Sequence, residues 1–474
     1  MKNKIIFFVF LLAFLIRLIG INQSLWLDEA TTARVVQQYN YQEIITKFSP
    51  NDFHPPLYYL FMKFWTNIFG YSEVALRFPS IIFSLLTGWI IYKICRLRAS
   101  FAEVATKAEQ GFGEPLWGVV FFLFNPLIVY YSQEARMYMA TTFFLTIAFY
   151  YFEKMLRIHK LKFKSQNRDI LFFGIFASLG FLTFYGSIFL IMAMFIYLFY
   201  KKQYKTFFIS CFILLVSFAL ISPLLYHQLI NSKIALVNVT HWSLVLGKAN
   251  FKNLLLIPIK FSIGRIDFYP KWIYYFISGM WTLFIFFSLF KNLKFKIENL
   301  KLKILLLYLL IFPLFLGFIV SFFTPLLQYF RFLYLIPIMS ILLSLSTSDY
   351  AVRQGLLVGG FLLFSLVYLL IPQFHREDWK SLVKSLPNNK PVYMILASSD
   401  PLKYYNSNLE IKELTRLCSL GYGGQSELEK QITVIPYTAE IYGIDCQKIL
   451  QGKNYQLTNK KSFRGLIWEE YSRQ

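Results

Sequence analysis

Two adjacent carboxylates, Asp28 and Glu29, stand in SLWLDEATTAR at residues 24–34, a few positions after a strongly apolar first segment. Carboxylates at this place have two interpretations: they mark the boundary of a membrane, or they act on a substrate that the membrane holds. A carboxylate within hydrogen-bond reach of a hydroxyl group can take its proton as a general base. The pair is therefore the first candidate for a catalytic site.

Three more segments carry residues that could act at the same boundary. His54 stands in NDFHPPLYY, Arg77 in YSEVALRFPS, and Glu134 and Arg136 share YYSQEARMY. Because proline is tolerated in the first turn of a helix, the plainer interpretation of His54, as a residue that precedes a helix, is favoured over a functional role. Glu134 and Arg136 are explained equally well by an interfacial ion pair and by function, since charges beside a membrane are costly when unpaired.

Four cations complete the candidate set. Arg34 follows the acidic pair, Lys260 and Arg265 lie in IPIKFSIGRIDFYPK, and Arg331 lies in TPLLQYFRFLYLIP. The guanidinium group of arginine suits two-pronged contact with phosphate. Each of these residues alone is explained as a positively charged membrane anchor. Only their convergence with the acidic pair on one face predicts a site that binds an anion.

Cysteine spacing and acidic motifs leave the metal question open. The cysteines form neither a C-x-x-C motif nor a Cys/His zinc pattern. The acidic pair is not a D-x-D motif, and one pair with one histidine does not decide whether a divalent metal binds. Cys418 and Cys446 share the predicted outer C-terminal segment, where a disulfide and two buried thiols are equally well supported.

The composition places these residues in a membrane protein. The 474-residue chain is 57% hydrophobic, 20% aromatic and only 15% charged, so it has too little polar surface for a soluble globule of this size. The net charge of +23 arises from short basic clusters between apolar runs, which is typical of loops that set membrane topology. The clusters are not spaced as in a nucleic-acid-binding protein, and nucleic acid is excluded as a partner.

The apolar runs predict about eleven membrane-spanning helices, each needing about 20 residues. The first is expected to stay uncleaved, because no small-residue cleavage site follows it. The predicted spans lie near residues 4–22, 79–96, 116–132, 137–156, 170–184, 186–200, 205–225, 271–290, 303–323, 330–347 and 354–372.

The positive-inside rule assigns the faces. Basic clusters at 160–168 and 291–303 are predicted to be cytoplasmic, and residues 23–78, with the candidate site, are predicted to form the first extracytoplasmic loop. Residues 1–372 then form a transmembrane catalytic module. Residues 373–474 change in composition, with predicted strands in PVYMILASS and QITVIPYTA and a helix in EDWKSLVKSL, and form a small extracytoplasmic α/β domain.

Four motifs in this order resemble a known family. Asp-Glu after the first span, H-P-P-L-Y-Y, S-E-x-A-L-R-F-P-S and Y-S-Q-E-A-R-M-Y resemble the GT-C membrane glycosyltransferases of the protein O-mannosyltransferase and aminoarabinose transferase group. The resemblance is strongest over residues 24–140, and R-E-D-W at 376–379 matches a segment often seen after the last span of these enzymes. Residues 141–370 match in hydropathy more than in motifs.

The resemblance implies an inverting glycosyltransferase in the cell (plasma) membrane. Its donor would be a polyprenyl phosphate sugar and its acceptor a protein, lipid or glycan outside the cytoplasm. Family position makes Asp28 the general base, and Glu29 would orient the acceptor or a bound cation. Cations would stabilise the departing lipid phosphate, with Arg136, Arg265 and Arg331 as first candidates, Arg34 and Arg77 behind them, and His54, Glu134 and Lys260 as further substrate-binding residues.

The main alternative from another class is a polytopic transporter or flippase for lipids or sugars. Such proteins usually carry ionisable residues or broken helices at the middle of the membrane. The predicted spans hold few ionisable residues, which favours the transferase. A non-catalytic membrane scaffold would leave the acidic pair unexplained, and only a transferase would release free polyprenyl phosphate from a lipid-linked sugar.

Overall fold

The structure is a computed structural model that describes residues 2–102, 114–160, 167–290, 297–345, 351–387, 390–419 and 429–474. A long helical part is followed by a small domain with a β-sheet. The basic clusters predicted to be cytoplasmic fall partly outside the described residues, at 161–166 and 291–296.

The helices of the first third of the chain surround the candidate site. They are α1 (Lys2–Leu18), α2 (Leu27–Gln38), α3 (Tyr41–Glu43), α4 (Leu57–Phe69), α5 (Glu73–Ala102), α6 (Glu114–Leu123), α7 (Pro126–Ser132) and α8 (Tyr138–Lys160). A π-helical turn (Ile44–Phe48) and a 3-10 turn (Ser49–Asn51) link α3 to the segment before α4.

The remaining helices of the membrane module are mostly long and apolar. They are α9 (Asn167–Thr183), α10 (Ile188–Tyr200), α11 (Tyr204–Asn238), α12 (Trp242–Leu246), α13 (Phe251–Ile263), α14 (Lys271–Phe290), α15 (Ile297–Val320), α16 (Ile336–Leu345) and α17 (Ala351–Leu370). A 3-10 turn (Tyr185–Ser187) precedes α10, and a 3-10 helix (Tyr329–Leu335) precedes α16.

Each predicted span coincides with one helix or with two consecutive helices. Within the described residues, five helices are long and apolar enough to cross a membrane, or six if the bent pair α6 and α7 is one span. The chain is therefore an integral membrane protein, and the count of eleven crossings stays a prediction. Many of its apolar side chains remain exposed on the outside of the helical part, as expected where lipid replaces water.

The predicted span at 116–132 is bent, because the structure divides it into α6 and α7, which meet at 61°. Pro126 has no backbone N–H and cannot continue the hydrogen bonds of α6. The side chain of Asn125 caps α7 instead, accepting hydrogen bonds from the amides of Leu127 and Ile128 at 3.0 and 3.2 Å. The bend ends α7 beside the candidate site, just before Glu134.

The segment after α1, which was predicted to be the first outer loop, is more ordered than a loop. Asp28 and Glu29, expected in a loop, lie in the first turn of α2, where acidic side chains interact favourably with the helix dipole. The predicted short helix after His54 is confirmed as α4, which starts directly after Pro56. The positions of both helices are thus set by local sequence signals.

The C-terminal domain is built on a mixed sheet. Its strands are β1 (Val392–Met394), β2 (Ile411–Glu413), β3 (Gln431–Val434), β4 (Tyr455–Phe463) and β5 (Leu466–Arg473), and its helices are α18 (Trp379–Ser385), α19 (Asp400–Tyr405), α20 (Leu414–Ser419) and α21 (Cys446–Gln451). The sheet order is β2-β1-β3-β5-β4, with β1 parallel to β2 and β3, and β5 antiparallel to β3 and β4.

The predicted strands in PVYMILASS and QITVIPYTA are confirmed as β1 and β3, and the predicted helix is confirmed as α18. The β4–β5 hairpin was not predicted, because YQLTNKKSF is almost entirely polar and exposed and lacks a buried face. Cys446 is buried, but the side chain of Cys418 lies outside the described residues, so the disulfide stays a prediction.

The C-terminal domain is fastened to the helices that carry the site. In α19, the Tyr405 hydroxyl accepts a hydrogen bond from the Leu25 amide at 2.8 Å, and the Tyr404 hydroxyl donates to the Tyr71 carbonyl at 2.6 Å. The Thr31 hydroxyl of α2 donates to the Asp400 carboxylate at 2.7 Å. Helix α2, which carries the acidic pair, therefore lies between the membrane module and the C-terminal domain.

Candidate functional site

Glu29 lies inside the protein and is bound by Arg77. Both side chains are fully buried, and Arg77 donates from Nε to Glu29 Oε1 at 2.8 Å and from Nη2 to Oε2. The Ala135 amide also donates to Oε1, at 2.9 Å. Burial alone would raise the pKa of Glu29, but the charges of Arg77 and Arg376, and hydrogen bonds from Arg77 and the Ala135 amide, outweigh it and hold the pKa below its usual value.

The remaining donors of Arg77 tie the chain after α1 into place. They reach the carbonyls of Ile21, Gln23 and Ser24 at 2.8, 2.7 and 3.1 Å. The sequence placed Glu29 at the acceptor and Arg77 among reserve cations for phosphate. In the structure the two side chains bind each other and hold the start of α2, since a buried carboxylate requires a partner, and their contact with a substrate stays a prediction.

Asp28 is the exposed member of the acidic pair. Its side chain is 37% exposed, and its Oδ2 lies 3.8 Å from Arg136 Nη2. Arg136 is only 4% exposed and also donates to the Tyr59 hydroxyl at 3.0 Å. Consecutive helical residues point about 100° apart, so Glu29 turns into the protein while Asp28 faces outward.

The turn that carries Glu134 and Arg136 is held by several polar contacts. The Gln133 side chain donates to the Ile19 carbonyl at 2.6 Å, and the Ser80 hydroxyl donates to the Glu134 carbonyl. These contacts come from α5 and the end of α1, which also position Arg77 and Glu29. The Asp-Glu, S-E-x-A-L-R-F-P-S and Y-S-Q-E-A-R-M-Y motifs therefore meet around the first turn of α2.

Glu134 is bound by a residue that was not among the predicted site residues. Arg376, from R-E-D-W, donates to Glu134 Oε2 at 2.9 Å, and its Nε lies 3.9 Å from Glu29 Oε2. Burial raises the pKa of Glu134 to about 7, with the charge of Arg376 opposing this rise and the charge of Glu29 adding to it. Two arginines and two glutamates thus form one buried charge network between the membrane module and the C-terminal domain.

His54 joins the site through Asp52. His54 Nδ1 lies 3.3 Å from Asp52 Oδ1, and its ring stacks on Phe184 with centroids 6.3 Å apart. Burial would raise the pKa of Asp52, but His54, the charge of Arg136 and the Phe53 amide lower it. Asp52 was missed from the sequence, although it stands only two residues before the histidine.

Arg265 and Arg331 form no ion pair with an acidic side chain in the described ranges. Arg265 is exposed and donates to the Tyr130 hydroxyl at 2.7 Å, lying over that ring at 5.0 Å. Arg331 is half-buried and donates to the Pro325 carbonyl at 3.3 Å. The neighbouring Phe330 contacts the Tyr138 ring at 5.3 Å, which places Arg331 beside the start of α8.

Two further predicted residues lie at the margin. Lys260 is half-buried at the end of α13, donates to the Ile266 carbonyl at 3.1 Å, and has a pKa lowered to about 8 by burial. Arg34 lies six residues after Asp28 and therefore on a different side of α2. Its Nε is buried and forms no hydrogen bond in the part of the chain that the structure describes.

The C-terminal domain also reaches the site. The hydroxyl of Tyr437, which follows β3, donates to Glu377 Oε1 at 3.4 Å. Burial, followed by the negative charges of Glu377 and Asp28, raises the pKa of Tyr437. Glu377 stands in the R-E-D-W segment noted in the sequence, whereas no local signal marks Tyr437, which long-range folding brings to the site.

The sequence left open whether the site binds a divalent metal ion. Within the described residues, no three His, Cys, Asp or Glu side chains are grouped so that they could hold a metal ion. Asp52 and His54 form a pair of possible ligands, but Asp52 interacts with His54 itself and with the charge of Arg136. We therefore assign no catalytic step to a metal.

Comparisons with known proteins agree with this architecture. Residues 53–227, less than half of the chain, match the family described as Dolichyl-phosphate-mannose-protein mannosyltransferase. The structure of ArnT from Cupriavidus metallidurans in the apo state matches with a TM-score of 0.60 at 9% sequence identity, covering 99% of this chain and 98% of that chain. ArnT bound to undecaprenyl phosphate matches with a TM-score of 0.58 at the same identity and coverage. No curated protein matches the sequence significantly.

The predicted resemblance to protein O-mannosyltransferases and aminoarabinose transferases is confirmed, and the fold is of the GT-C type. The structural likeness extends over nearly the whole chain, including the C-terminal domain, whereas the motifs in the sequence were concentrated in its first third. At this level of identity the likeness to ArnT concerns the fold.

Proposed function

We propose that this chain is an inverting glycosyltransferase that moves a sugar from a polyprenyl phosphate carrier to a protein, lipid or glycan acceptor outside the cytoplasm. The observation that carries the proposal is the placement of Asp28. It is a partly exposed carboxylate 3.8 Å from a buried arginine, on a helix enclosed by two domains. The arrangement fits a base that is oriented by Arg136 and still reachable by a substrate.

In the proposed reaction, Asp28 takes the proton of an acceptor hydroxyl as the hydroxyl oxygen attacks the anomeric carbon of the donor sugar. A new bond forms between that oxygen and the anomeric carbon, and the bond from this carbon to the phosphate oxygen breaks. The phosphate leaves with the bonding electron pair. Because attack and departure occur on opposite faces of the carbon, the configuration inverts.

The leaving phosphate gains negative charge in the transition state, and fixed cations stabilise it. Arg265 and Arg331 are the best candidates, because neither is neutralised by a carboxylate in the described part of the chain and neither is fully buried. Lys260, five residues before Arg265, would add a third positive charge. Arg136, in contrast, is occupied by Asp28 and Tyr59, so we assign it to the base and not to the phosphate.

The comparisons support a lipid-linked donor. The matched family is described by a dolichyl phosphate sugar, and the ArnT structure with the same fold binds undecaprenyl phosphate. Basic clusters between the spans favour a cytoplasmic position for the opposite face and an outer position for the site. Nucleotide sugars are scarce there, which also favours a lipid-linked donor.

The test is release of free polyprenyl phosphate by the purified full-length protein. Polyprenyl phosphates carrying mannose, glucose or aminoarabinose are supplied in separate reactions, each with a membrane extract that provides protein, lipid and glycan hydroxyl groups as acceptors. Wild-type protein should release the lipid phosphate from one of them, and Asp28→Asn should lower the rate by about 10² to 10⁴, the usual effect of losing a general base. A transporter would release none.

A matched control is Asp267→Asn, since Asp267 is 51% exposed and its ion pair with Lys271 lies at the surface. It should retain the wild-type rate. Both variants should unfold at the wild-type temperature. Wild-type turnover in Asp28→Asn would remove Asp28 from the mechanism, and no release from any donor by the wild type would reject the transferase.

A further inference from the structure

The R-E-D-W segment joins two parts of the molecule through consecutive residues. Arg376 points into the membrane module, where it binds Glu134 and approaches Glu29. Glu377 remains half-exposed and accepts the hydrogen bond from Tyr437. The charge of Asp28 acts on the Tyr437 hydroxyl, which places Glu377 and Tyr437 on the Asp28 side of the site.

The position of Glu377 is fixed by the turn of the β4–β5 hairpin. Arg464 Nε donates to the Arg376 carbonyl at 2.6 Å, and the Asp378 amide donates to the Arg464 carbonyl at 3.0 Å. Gly465 has a φ of +73°, and a Cβ at this residue would lie 3.0 Å from Glu377 Cγ. A glycine is needed here, because the hairpin packs directly against the side chain of Glu377.

Tyr437 is held equally firmly. Its ring packs edge-on against the fully buried Trp379, with centroids 5.0 Å apart. Its hydroxyl is thereby directed to Glu377, and no cation of the described residues lies within ion-pair distance of that carboxylate. A partly exposed carboxylate without a cationic partner can accept hydrogen bonds from a ligand that carries donors.

The two sides of the site differ in charge. Arg265 and Arg331 are the cations assigned to the donor phosphate, whereas Glu377, beside the hydroxyl of Tyr437, is a carboxylate that forms no ion pair with a described cation. Arg136 offsets the charge of Asp28, but an anionic acceptor would meet the unpaired charge of Glu377, and like charges at short range are repelled. Neutral hydroxyl groups could instead donate to the Glu377 carboxylate and to the Tyr437 oxygen, whose own hydrogen is directed to Glu377.

We propose that Glu377 and Tyr437 bind the acceptor, and that they select an uncharged end with neighbouring hydroxyl groups, as a sugar presents. This inference rests on the proposed transferase function. Asp28 takes the proton of the attacking hydroxyl, while Glu377 accepts a hydrogen bond from a second hydroxyl and exchanges no proton. Glu377 and Tyr437 are thus residues that determine acceptor specificity.

The experiment uses the full-length protein, the active polyprenyl phosphate sugar, and two acceptor probes, hexyl glucoside and hexyl glucoside 6-phosphate. Wild type should transfer to the neutral glucoside and discriminate against its phosphate. Glu377→Gln should raise the KM of hexyl glucoside by about tenfold or more, as expected for a lost hydrogen bond to a charged group. The donor KM should stay within about twofold, since the lost hydrogen bond belongs to the acceptor contact alone.

A second variant distinguishes the loss of a hydrogen bond from misfolding of the protein. Tyr437→Phe keeps the ring against Trp379 and removes only the hydroxyl, so it should fold normally and raise the acceptor KM by about threefold or more. Glu410→Gln is the matched control, because Glu410 is 67% exposed on the same domain and bound to Lys412. It should behave as wild type.

The outcomes are distinguishable. If wild type releases polyprenyl phosphate from no donor, the transferase function itself fails. Three results would overturn the acceptor assignment while the transferase function stands. Wild type could consume the donor without using either glucoside, or it could prefer the phosphorylated glucoside. Alternatively, both variants could have the same acceptor KM as wild type. A rise in acceptor KM in both variants, with the donor KM unchanged, supports the assignment.

Discussion

Arg77 and Glu29 form a two-pronged ion pair from which solvent is excluded, although 48 residues separate them in the chain. This pair fixes the start of α2 against α5. Asp28 is thereby turned outward, where it is 37% exposed beside Arg136. The adjacent carboxylates thus have different roles, since Glu29 stabilises the fold and Asp28 is available to take a proton.

The first prediction concerns this division of duties. Glu29→Gln should leave Arg77 with an uncompensated buried charge and lower the free energy of unfolding by about 3 to 5 kcal/mol. Asp28→Asn breaks only a partly exposed contact and should unfold close to the wild-type temperature. Thermal unfolding of both variants in the same detergent checks the contrast, and a Glu29→Gln variant as stable as Asp28→Asn would contradict the buried pair.

The second prediction is a pH dependence of stability from Glu134. Its pKa is raised from 4.5 to about 7 in the folded protein. The folded state therefore holds this proton more tightly than the unfolded state, and the stabilising contribution is complete below about pH 4.5 and lost as the pH rises through about 7. The pKa of Glu29 is lowered in the folded protein, so its contribution to stability is present at neutral pH and is lost as the pH falls through that lowered pKa.

Comparison with Glu134→Gln isolates this effect, because glutamine resembles the protonated acid. Between about pH 5 and 7.5, the wild-type unfolding temperature should fall relative to that of the variant. Glu440→Gln provides the control, since Glu440 is exposed in the C-terminal domain and should show no such trend. Parallel curves for wild type and Glu134→Gln would mean that Glu134 does not titrate in this range.

Much of this arrangement could be predicted from the sequence. Apolar length located the helices, and the order of short motifs identified Asp28, His54, Glu134 and Arg136 as residues that meet. The sequence did not indicate that Glu29 is buried while Asp28 is partly exposed, because their environments depend on α5 and on Ala135, which pack against α2 only in the folded chain. Hydrophobic periodicity reports a buried face only where the buried residues are apolar.

The residues that the C-terminal domain contributes to the site could not be predicted for a different reason. Arg376 and Glu377 stand in a segment whose match to a family pattern could be noticed, but nothing local indicates that one side chain enters the membrane module while its neighbour stays outside. Tyr437 reaches the site only because β3 lies inside the sheet and the residues that follow it pack on Trp379. Such contacts depend on topology and leave no short motif.

The last prediction separates the arginines of the site by their kinetic effects. The sequence favoured Arg136 for contact with the donor phosphate, but its guanidinium is 4% exposed and bound to Asp28 and Tyr59. Arg136→Lys keeps the positive charge and loses the planar fork that makes both contacts. It should therefore lower kcat by about tenfold or more through misplacement of the base, with little change in donor KM.

Arg331→Lys tests the opposite role. Arg331 is half-buried and donates only to a backbone carbonyl in the described structure, so its fork is available to phosphate. This variant should raise the donor KM, and steady-state kinetics with the donor and acceptor varied separately would resolve the two effects. Lys201→Arg, in the turn after α10 and far from the site in sequence, controls for exchange of the two cations and should leave both constants unchanged. If Arg136→Lys raised the donor KM and kept its kcat, Arg136 would belong to the phosphate site and the assignment made from its burial would be wrong.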